Sequence, residues 1–471
     1  MKRIFTVLLV SALLLGTCAC LPFSASAEGA EGDFEYEIVD GVATITGYHG
    51  AGGDVVIPSV LDGAPVTTIG DFAFYGNDRL TSVTIPESVE WIELYAFSHC
   101  PSLIGLTVAE GNGSYYSKGN CIIGMHTTTL THGCAASVIP DDVTGIKTAA
   151  FAGCDGLTGI EIPESVTWIG DNAFADCVNL TGITFPDGMA YIYDGAFSNC
   201  EGLTEIVIPA NVEYIGKAAF SGTGLRKLTV AEGNPFYYSE GNCIITKEDR
   251  TLTHGCDASV IPGDVKAIGN NAFSGCYELT DLVIPDGVTA IGKEAFSTCF
   301  ALKSVVIPGS VTTIGAWAFD TCFELTEVVL EEGVSEIGEE AFFACYALKS
   351  IVIPQSVTRM GSRIFRFCRG LIDIYCRAEE QPEDWSQYWA EDCNAAVLWG
   401  YTPASKPILG DLYGNGSIDA ADYLLLKRYC LGTFKLTDAQ KAVADVNKDG
   451  TIDAHDYMLV KRHVLGTYKI A

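Results

Sequence analysis

The dipeptide Ala-Phe returns along this chain at a step of 23 residues, and that period constrains the fold more than any other feature. It stands at Ala73-Phe74, Ala96-Phe97, Ala150-Phe151, Ala173-Phe174, Ala196-Phe197, Ala219-Phe220, Ala272-Phe273, Ala295-Phe296, Ala318-Phe319 and Ala341-Phe342, and Ile364-Phe365 continues the series. Two steps are longer, 54 residues from Phe97 to Phe151 and 53 from Phe220 to Phe273. A unit this short cannot bury its own apolar side chains, so successive units must stack as coils around one core. After Ala295-Phe296, apolar residues follow at Leu302, Val305, Ile307, Val311 and Ile314. The alternation that ends at Ile307 predicts a short strand from Leu302. Pro308 has no amide hydrogen to donate and closes it. Gly315 is expected to permit the turn into the next coil.

The cysteines keep the same register. Cys100, Cys154, Cys177, Cys200, Cys276, Cys299, Cys322, Cys345 and Cys368 each lie three residues after the Phe, and Asn77 and Thr223 take that place in two units. The exchange of Cys, Asn and Thr points to a small buried site where the side chain hydrogen-bonds irregular backbone. Eighteen cysteines in one chain suggest disulfides if the compartment is oxidising. One cysteine per coil instead predicts a ladder of free thiols, because disulfide geometry is strict.

The pattern Ala-Phe-x-x-Cys-x-x-Leu-x-x-Ile-x-Ile-Pro recurs eleven times with small variations between about Phe34 and Tyr401. It resembles the BspA-like leucine-rich repeats of bacterial surface proteins. The resemblance implies a curved, β-rich solenoid of 23-residue coils with short helical turns, used for binding, often at a cell surface. It names no ligand.

Each long step holds one copy of a duplicated insertion. Leu106 to Asn112, Tyr115-Tyr116 and Gly119 to Ile123 recur as Leu228 to Asn234, Tyr237-Tyr238 and Gly241 to Ile245. Both copies close on Thr-His-Gly-Cys, at Thr131 to Cys134 and Thr253 to Cys256. Each predicts a β-hairpin budding from one coil. Cys121 with Cys134, and Cys243 with Cys256, stand either as disulfides or as paired thiols. His132–Cys134 and His254–Cys256 read either as a thiol nucleophile beside its base or as structure, and the recurrence in both insertions favours structure. Arg377 to Tyr401 is rich in Trp and Glu, lacks the repeat, and is expected to cap the open end of the core.

Outward strand positions are mostly small or polar, as at Thr181, Gly182 and Thr184, at Lys303, Ser304 and Val306, and at Lys349, Ser350 and Val352. That row lacks the aromatic faces a carbohydrate platform needs. Two other columns carry aromatics at the repeat step: Trp168, Tyr191 and Tyr214, and Tyr277, Phe300, Phe323 and Tyr346. Stacked at about 4.8 Å per coil, each forms a stripe, read either as a structural ladder or as a partner-binding surface.

The formal charge is −31. Residues 410–471 balance eight Asp against eight Lys or Arg, so the whole excess lies on residues 1–409. Such a surface repels phosphate backbones and anionic membranes, which argues against nucleic-acid binding. Lys2 and Arg3, the apolar run Ile4 to Leu15, and Ala25-Ser26-Ala27 read as a secretory leader cut after Ala27. The run is too short to span a bilayer, and no later stretch is long enough. Cys18 and Cys20 after Leu-rich sequence offer a lipid anchor as the alternative, which Thr17 disfavours because a Gly or Ala is expected there.

From Gly410 a different duplication begins, with a step of 34 that matches Asp411, Asp419, Asp422, Tyr423, Lys427 and Arg428 to Asp445, Asp453, Asp456, Tyr457, Lys461 and Arg462. In the second copy Asp445, Asn447, Asp449, Asp453 and Asp456 fall at loop positions 1, 3, 5, 9 and 12, with Gly450 at 6 and the Thr451 carbonyl at 7. Hard oxygen donors at this spacing form a calcium loop. The first copy offers Asp411, Asn415, Ser417, Asp419 and Asp422, but Tyr413 stands at position 3. Two calcium sites are therefore expected, the second tighter.

An apolar helix bearing Lys and Arg follows each loop and none is expected before it. This loop–helix duplication over 410–471, with its Leu-Lys-Arg-Tyr run at Leu426 to Tyr429, resembles a type I dockerin. The resemblance implies a small all-α calcium-binding domain whose partner is a cohesin module on a scaffold, as in a cellulosome-like complex. Its contact residues would be Ala420, Ala421, Lys427 and Arg428 in one copy, and Ala454, His455, Lys461 and Arg462 in the other. Near-symmetry would let either copy face the partner, although His455 opposite Ala421 breaks the match.

The expected organisation is a leader over 1–27, a capped solenoid over 28–401, a linker over 402–408 and a dockerin over 409–471. No catalytic motif stands outside the repeats. The sequence reads as a secreted, non-enzymatic binding protein whose solenoid meets a protein or surface. The alternative is an accessory component of polysaccharide degradation that binds or hydrolyses glycan.

Overall fold

The computed structural model describes residues 27–402, 408–414 and 416–470. The predicted leader up to Ser26, with Cys18 and Cys20, lies outside the described residues, as do residues 403–407 and Asn415.

The repeats wind as a β-solenoid with two columns of parallel strands. One column contains four-residue strands, and Ser304–Ile307, Glu327–Leu330, Ser350–Ile353 and Asp373–Cys376 pair at the 23-residue register. The expected strand is thus shorter at its start than Leu302. The second column is built of two-residue strands, such as Ala290–Ile291, Thr313–Ile314 and Glu336–Ile337. Two residues carry no readable alternation, so periodicity could not reveal this column. Gly315 directly follows one of these strands. Its backbone is not left-handed; a Cβ there would come within 2.5 Å of Gly292 and Lys293 backbone atoms. The glycine serves close approach between coils rather than a turn.

The Ala-Phe segments form the turns on the third side, tied coil to coil by bonds such as Phe296 N–H to Ala318 O at 2.8 Å. The Phe rings stack inside. Phe151, Phe174 and Phe197 lie 4.9 and 5.2 Å apart with planes within 5°. The thiol column is free throughout. Cys177, Cys200, Cys299, Cys322 and Cys345 each donate to a Phe carbonyl 26 residues earlier, at 3.0–3.3 Å. A turn carbonyl that points into the core needs a donor, and the thiol supplies it in little volume.

Each insertion contains the expected hairpin and one further strand. Tyr115–Lys118 pairs antiparallel with Cys121–Gly124, which pairs antiparallel with Thr129–His132. The last strand then joins the two-residue column through Gly145–Ile146. Cys121–Gly124 is buried on both faces. Side chains alternate across a strand, so Ile122 packs in the core before it, while Cys121 and Ile123 pack in the core after it. The insertion is a septum, and its copy at Cys243–Thr246 repeats the arrangement. The two septa divide the interior into three clusters. Cys134 belongs to the cluster opposite that of Cys121, and the two thiols are free, as are Cys243 and Cys256. At the far end Trp385 and Trp389 are buried against each other, and Ala396–Leu398 adds a last parallel strand.

The C-terminal segment holds three helices: α1 (Ala420–Cys430), α2 (Asp438–Ala444) and α3 (Ala454–Val464). The expectation that no helix precedes either loop fails for the second, because α2 ends at Ala444 and Asp445, the first loop residue, is its C-cap. Thr437 caps α2, and Gln440 returns a bond to the Thr437 amide. That Thr-x-x-Gln box was a legible start signal. Leu425, Leu426, Val443, Ala444 and Val460 build a separate small core. Tyr423 and Tyr457 stack at 5.0 Å across the internal two-fold and share a hydroxyl bond of 2.9 Å. No described helix is long and apolar enough to cross a membrane.

Candidate functional site: the duplicated loops and their seat on the solenoid

Asp419 and Asp453 cap α1 and α3, and Asp422 and Asp456 complete the capping boxes. This geometry follows from the Asp-x-x-Asp spacing. Asp456 is fully buried; its Oδ1 accepts from the Val446 and Asn447 amides at 2.7 and 3.1 Å, and its Oδ2 from the Asp453 amide at 3.0 Å. Asp445 accepts from the amides of Asp449 and Gly450 at 3.1 and 2.9 Å. Asn447 and Asp449 continue the turn, Asp449 accepting from the Thr451 amide at 2.8 Å. Gly450 is left-handed at φ 88°, as position 6 requires.

The first loop repeats this frame. Asp422 is fully buried and accepts from the Leu412, Tyr413 and Asp419 amides at 2.6, 3.1 and 2.9 Å. Asp411 accepts from Gly416 at 2.8 Å, and Ser417 lies exposed beside it. Burial and the neighbouring Asp419 and Asp411 charges push the Asp422 carboxyl well up. Among the described residues, no three acidic, imidazole or thiol groups already converge closely enough to hold a metal. The donor chemistry nevertheless fits a hard cation: oxygen donors with surplus negative charge, buried at Asp411, Asp422 and Asp456 and open to solvent at Asp449 and Asp453, and no thiolate or imidazole at the ligand positions of the loops.

Tyr413 does not serve the loop with its side chain. Its hydroxyl lies 3.3 Å from Glu331 Oε1 on the solenoid. Nearby, Arg428 of α1 is 1% exposed and pairs with Asp286, and its Nη1 sits 3.5 Å from Glu331. Its guanidinium also covers the Phe434 ring at 4.8 Å. Desolvation lowers Arg428 to about 10, still charged at neutral pH. Glu327 lies against Asp419 and the Ala421 amide, and burial together with Asp419 pushes it up to about 10. Helix α1 lies over Ser304–Ile307 and Glu327–Leu330. Val306, expected to face solvent, is only 2% exposed because of this cover, whereas Val207 at the matching place of an uncovered coil is 48% exposed. A cavity of about 470 Å³ remains beside the seat, bounded by Arg377, Tyr401, Asp419 and His463.

The residues singled out as partner contacts thus differ between copies. Ala421 and Arg428 are buried and Ala420 and Lys427 half-buried; Ala454, His455 and Arg462 are exposed and Lys461 half-buried. Sequence reasoning missed Tyr413, Asp286 and Glu331 as a group, since no local pattern links positions so far apart.

In the solenoid, Tyr277, Phe300, Phe323 and Tyr346 stack at 5.0 Å with planes within 5°. The first three are half-buried. Trp168, Tyr191 and Tyr214 occupy adjacent coils in register, and Tyr193, which periodicity missed, fills the space between them at 5.9–6.5 Å. The His–Cys pairs are spent on structure. His132 donates from Nε2 to Glu93 O, His254 to Gly216 O, and burial pushes both imidazoles down to about 4. Cys134 Sγ faces Asn120 O at 3.5 Å instead.

A leucine-rich-repeat solenoid carrying a small helical module with paired oxygen-rich loops is the class this architecture defines. The chain belongs to the BspA-type leucine-rich-repeat family, whose repeat region matches residues 57–119, 128–239 and 254–374, and its C-terminus matches the dockerin type I domain over 409–465. Type I dockerins are calcium-binding domains as a class. Similar solved structures include a leucine rich cell surface protein from Faecalibacterium prausnitzii (29% identity, 80% of this chain and 96% of that one, TM-score 0.48). The pneumococcal vaccine antigen PcpA (17%, 91% and 98%, TM-score 0.44) is another. A leucine-rich repeat protein from Eubacterium ventriosum (20%, 83% and 100%, TM-score 0.44) is a third. No curated protein matches the chain.

Proposed function

We propose that this is a secreted binding protein in which the solenoid over 28–401 recognises a protein or surface ligand. The dockerin over 409–471, joined by 402–408, tethers it to a cohesin-bearing scaffold of cellulosome type. The observation that carries this reading is the duplicated loop–helix unit, with two like-built Asp frames, attached to repeats that hold no catalytic motif. Asp411, Asn415, Ser417, Asp419 and Asp422 would form one calcium site, and Asp445, Asn447, Asp449, Thr451, Asp453 and Asp456 the other. Bound calcium would neutralise the loop carboxylates and so help hold a module with little core of its own. The test is calorimetric titration of the intact chain with purified type I cohesins, in calcium and in chelator. Calcium-dependent binding to one of them supports the tether, and binding to none sinks it.

For the solenoid, the Tyr191, Tyr193 and Tyr214 group is the better contact candidate, being 37–40% exposed. That exposure also favours glycan binding as a second reading, which pull-down on insoluble polysaccharide would decide. The Tyr277 to Tyr346 stripe is a partner surface only if Tyr277→Ser with Phe323→Ser lowers ligand binding while leaving Tm unchanged.

A further inference from the structure

We propose that the first duplicate of the dockerin is committed to the protein's own solenoid, so that only the second duplicate is free to meet a partner. The inference rests on the tethering reading for the identity of that partner, but not for the packing itself.

The two duplicates are built alike, which makes their differences informative. Arg428 and Arg462 are equivalent, and each lies over an equivalent aromatic ring, Phe434 and Tyr468. Arg462 is exposed, while Arg428 is buried against Asp286 and Glu331. A guanidinium is buried only where carboxylates receive it, and the acidic solenoid supplies them. At loop position 3 the second duplicate keeps Asn447, whose side chain bonds within the loop. The first has Tyr413, whose hydroxyl reaches Glu331 instead. The sequence departs from the loop pattern at the very residue that touches the solenoid. Val306, left 2% exposed under α1, adds an apolar contact between these polar ones. Ligand loss at Tyr413, charge pairing at Arg428 and cover over Val306 all point to one seat.

The seat removes the equivalence that the repeat would otherwise confer. A cohesin approaching Ala421 and Arg428 would have to displace the solenoid, whereas Ala454, His455 and Arg462 already face solvent.

Hydrogen–deuterium exchange on the intact chain in calcium tests the packing without any partner. The releasing variant carries Asp286→Lys and Val306→Lys, both outward-facing positions on the solenoid. The expected result is faster exchange over 420–430 in the variant, with 454–464 unchanged. Unchanged far-ultraviolet dichroism and Tm of the solenoid confirm that the variant folds. Equal exchange over 420–430 in the two forms overturns the proposal. A type I cohesin bound by the intact chain then tests the consequence. Lys461→Glu with Arg462→Glu is expected to cost on the order of 100-fold in affinity in the native background and little in the releasing background, where the first duplicate is free. The same loss in both backgrounds overturns the proposal. If no cohesin binds either form, the tether falls, and exchange alone decides the packing.

Discussion

At the scale of single residues, the thiol column shows how one side chain meets a backbone demand. Cys322 is fully buried, donates to Phe296 O at 3.3 Å, and is pushed well above the ordinary thiol range by burial. Thiolate is the reactive form, so iodoacetamide at pH 8 should label exposed Cys430 and leave Cys177, Cys299 and Cys322 untouched until denaturant is added. Mass spectrometry reads this directly, and labelling of the column in the native state would contradict the ladder. Asp320 shows the opposite economy. Its carboxyl accepts from the Ser297 hydroxyl at 3.1 Å, yet burial, with Glu294 and Glu340 nearby, pushes it up from 3.8 to about 6. Between those values the folded chain holds a proton that the unfolded chain has released. Its contribution is therefore most favourable below pH 4 and declines as pH rises to 6. Asp320→Asn should raise Tm at pH 7 and flatten the slope of Tm between pH 4 and 6. An unchanged slope would show that this carboxyl titrates normally.

At the scale of elements, the insertions matter more than their hairpin reading suggested. A budding hairpin would leave one face to solvent; the septum strand is buried on both, and it joins two cores. Ile122 serves the earlier core and Ile123 the later one. Ile122→Ala should cost about 2–5 kcal/mol in a urea titration, and a cost below about 1 kcal/mol would show that the strand is peripheral. The hairpin was legible from Tyr-Tyr, Gly-Asn and the alternation that follows. The third strand, Thr129–His132, was hidden because it is paired with its neighbours on one side antiparallel and on the other parallel. Likewise the two-residue strand column has no length over which periodicity can act, and α2 was overlooked despite its Thr437–Gln440 box.

At the scale of the whole molecule, two bodies with different sources of stability share one chain. The solenoid rests on its stacked core, whereas the dockerin core is small and its buried Asp422 and Asp456 call for a counter-charge. Chelation should therefore remove the helical dichroism of the dockerin and leave the β-solenoid signal and its melting unchanged. Asp445→Ala with Asp456→Ala should lower calcium affinity more than Asp411→Ala with Asp422→Ala, since the Tyr413 side chain at position 3 is turned to Glu331 of the solenoid, where the second loop has Asn447. Calorimetry showing the reverse order would mean that Tyr413 or the solenoid contributes to the first site after all.

The sequence by itself determined the coil length, the buried column of Phe and Cys, the loop spacing and the helix that follows each loop. All of these arise from contacts between neighbours at a fixed chain interval, and a repeated interval is visible without a structure. Only the tertiary structure decided that the insertions are septa, that Val306 is covered, and that two equivalent arginines have different surroundings. Arg428 meets Asp286 across 142 residues. Such a contact depends on where two folded surfaces come together, and no local pattern in either segment records it.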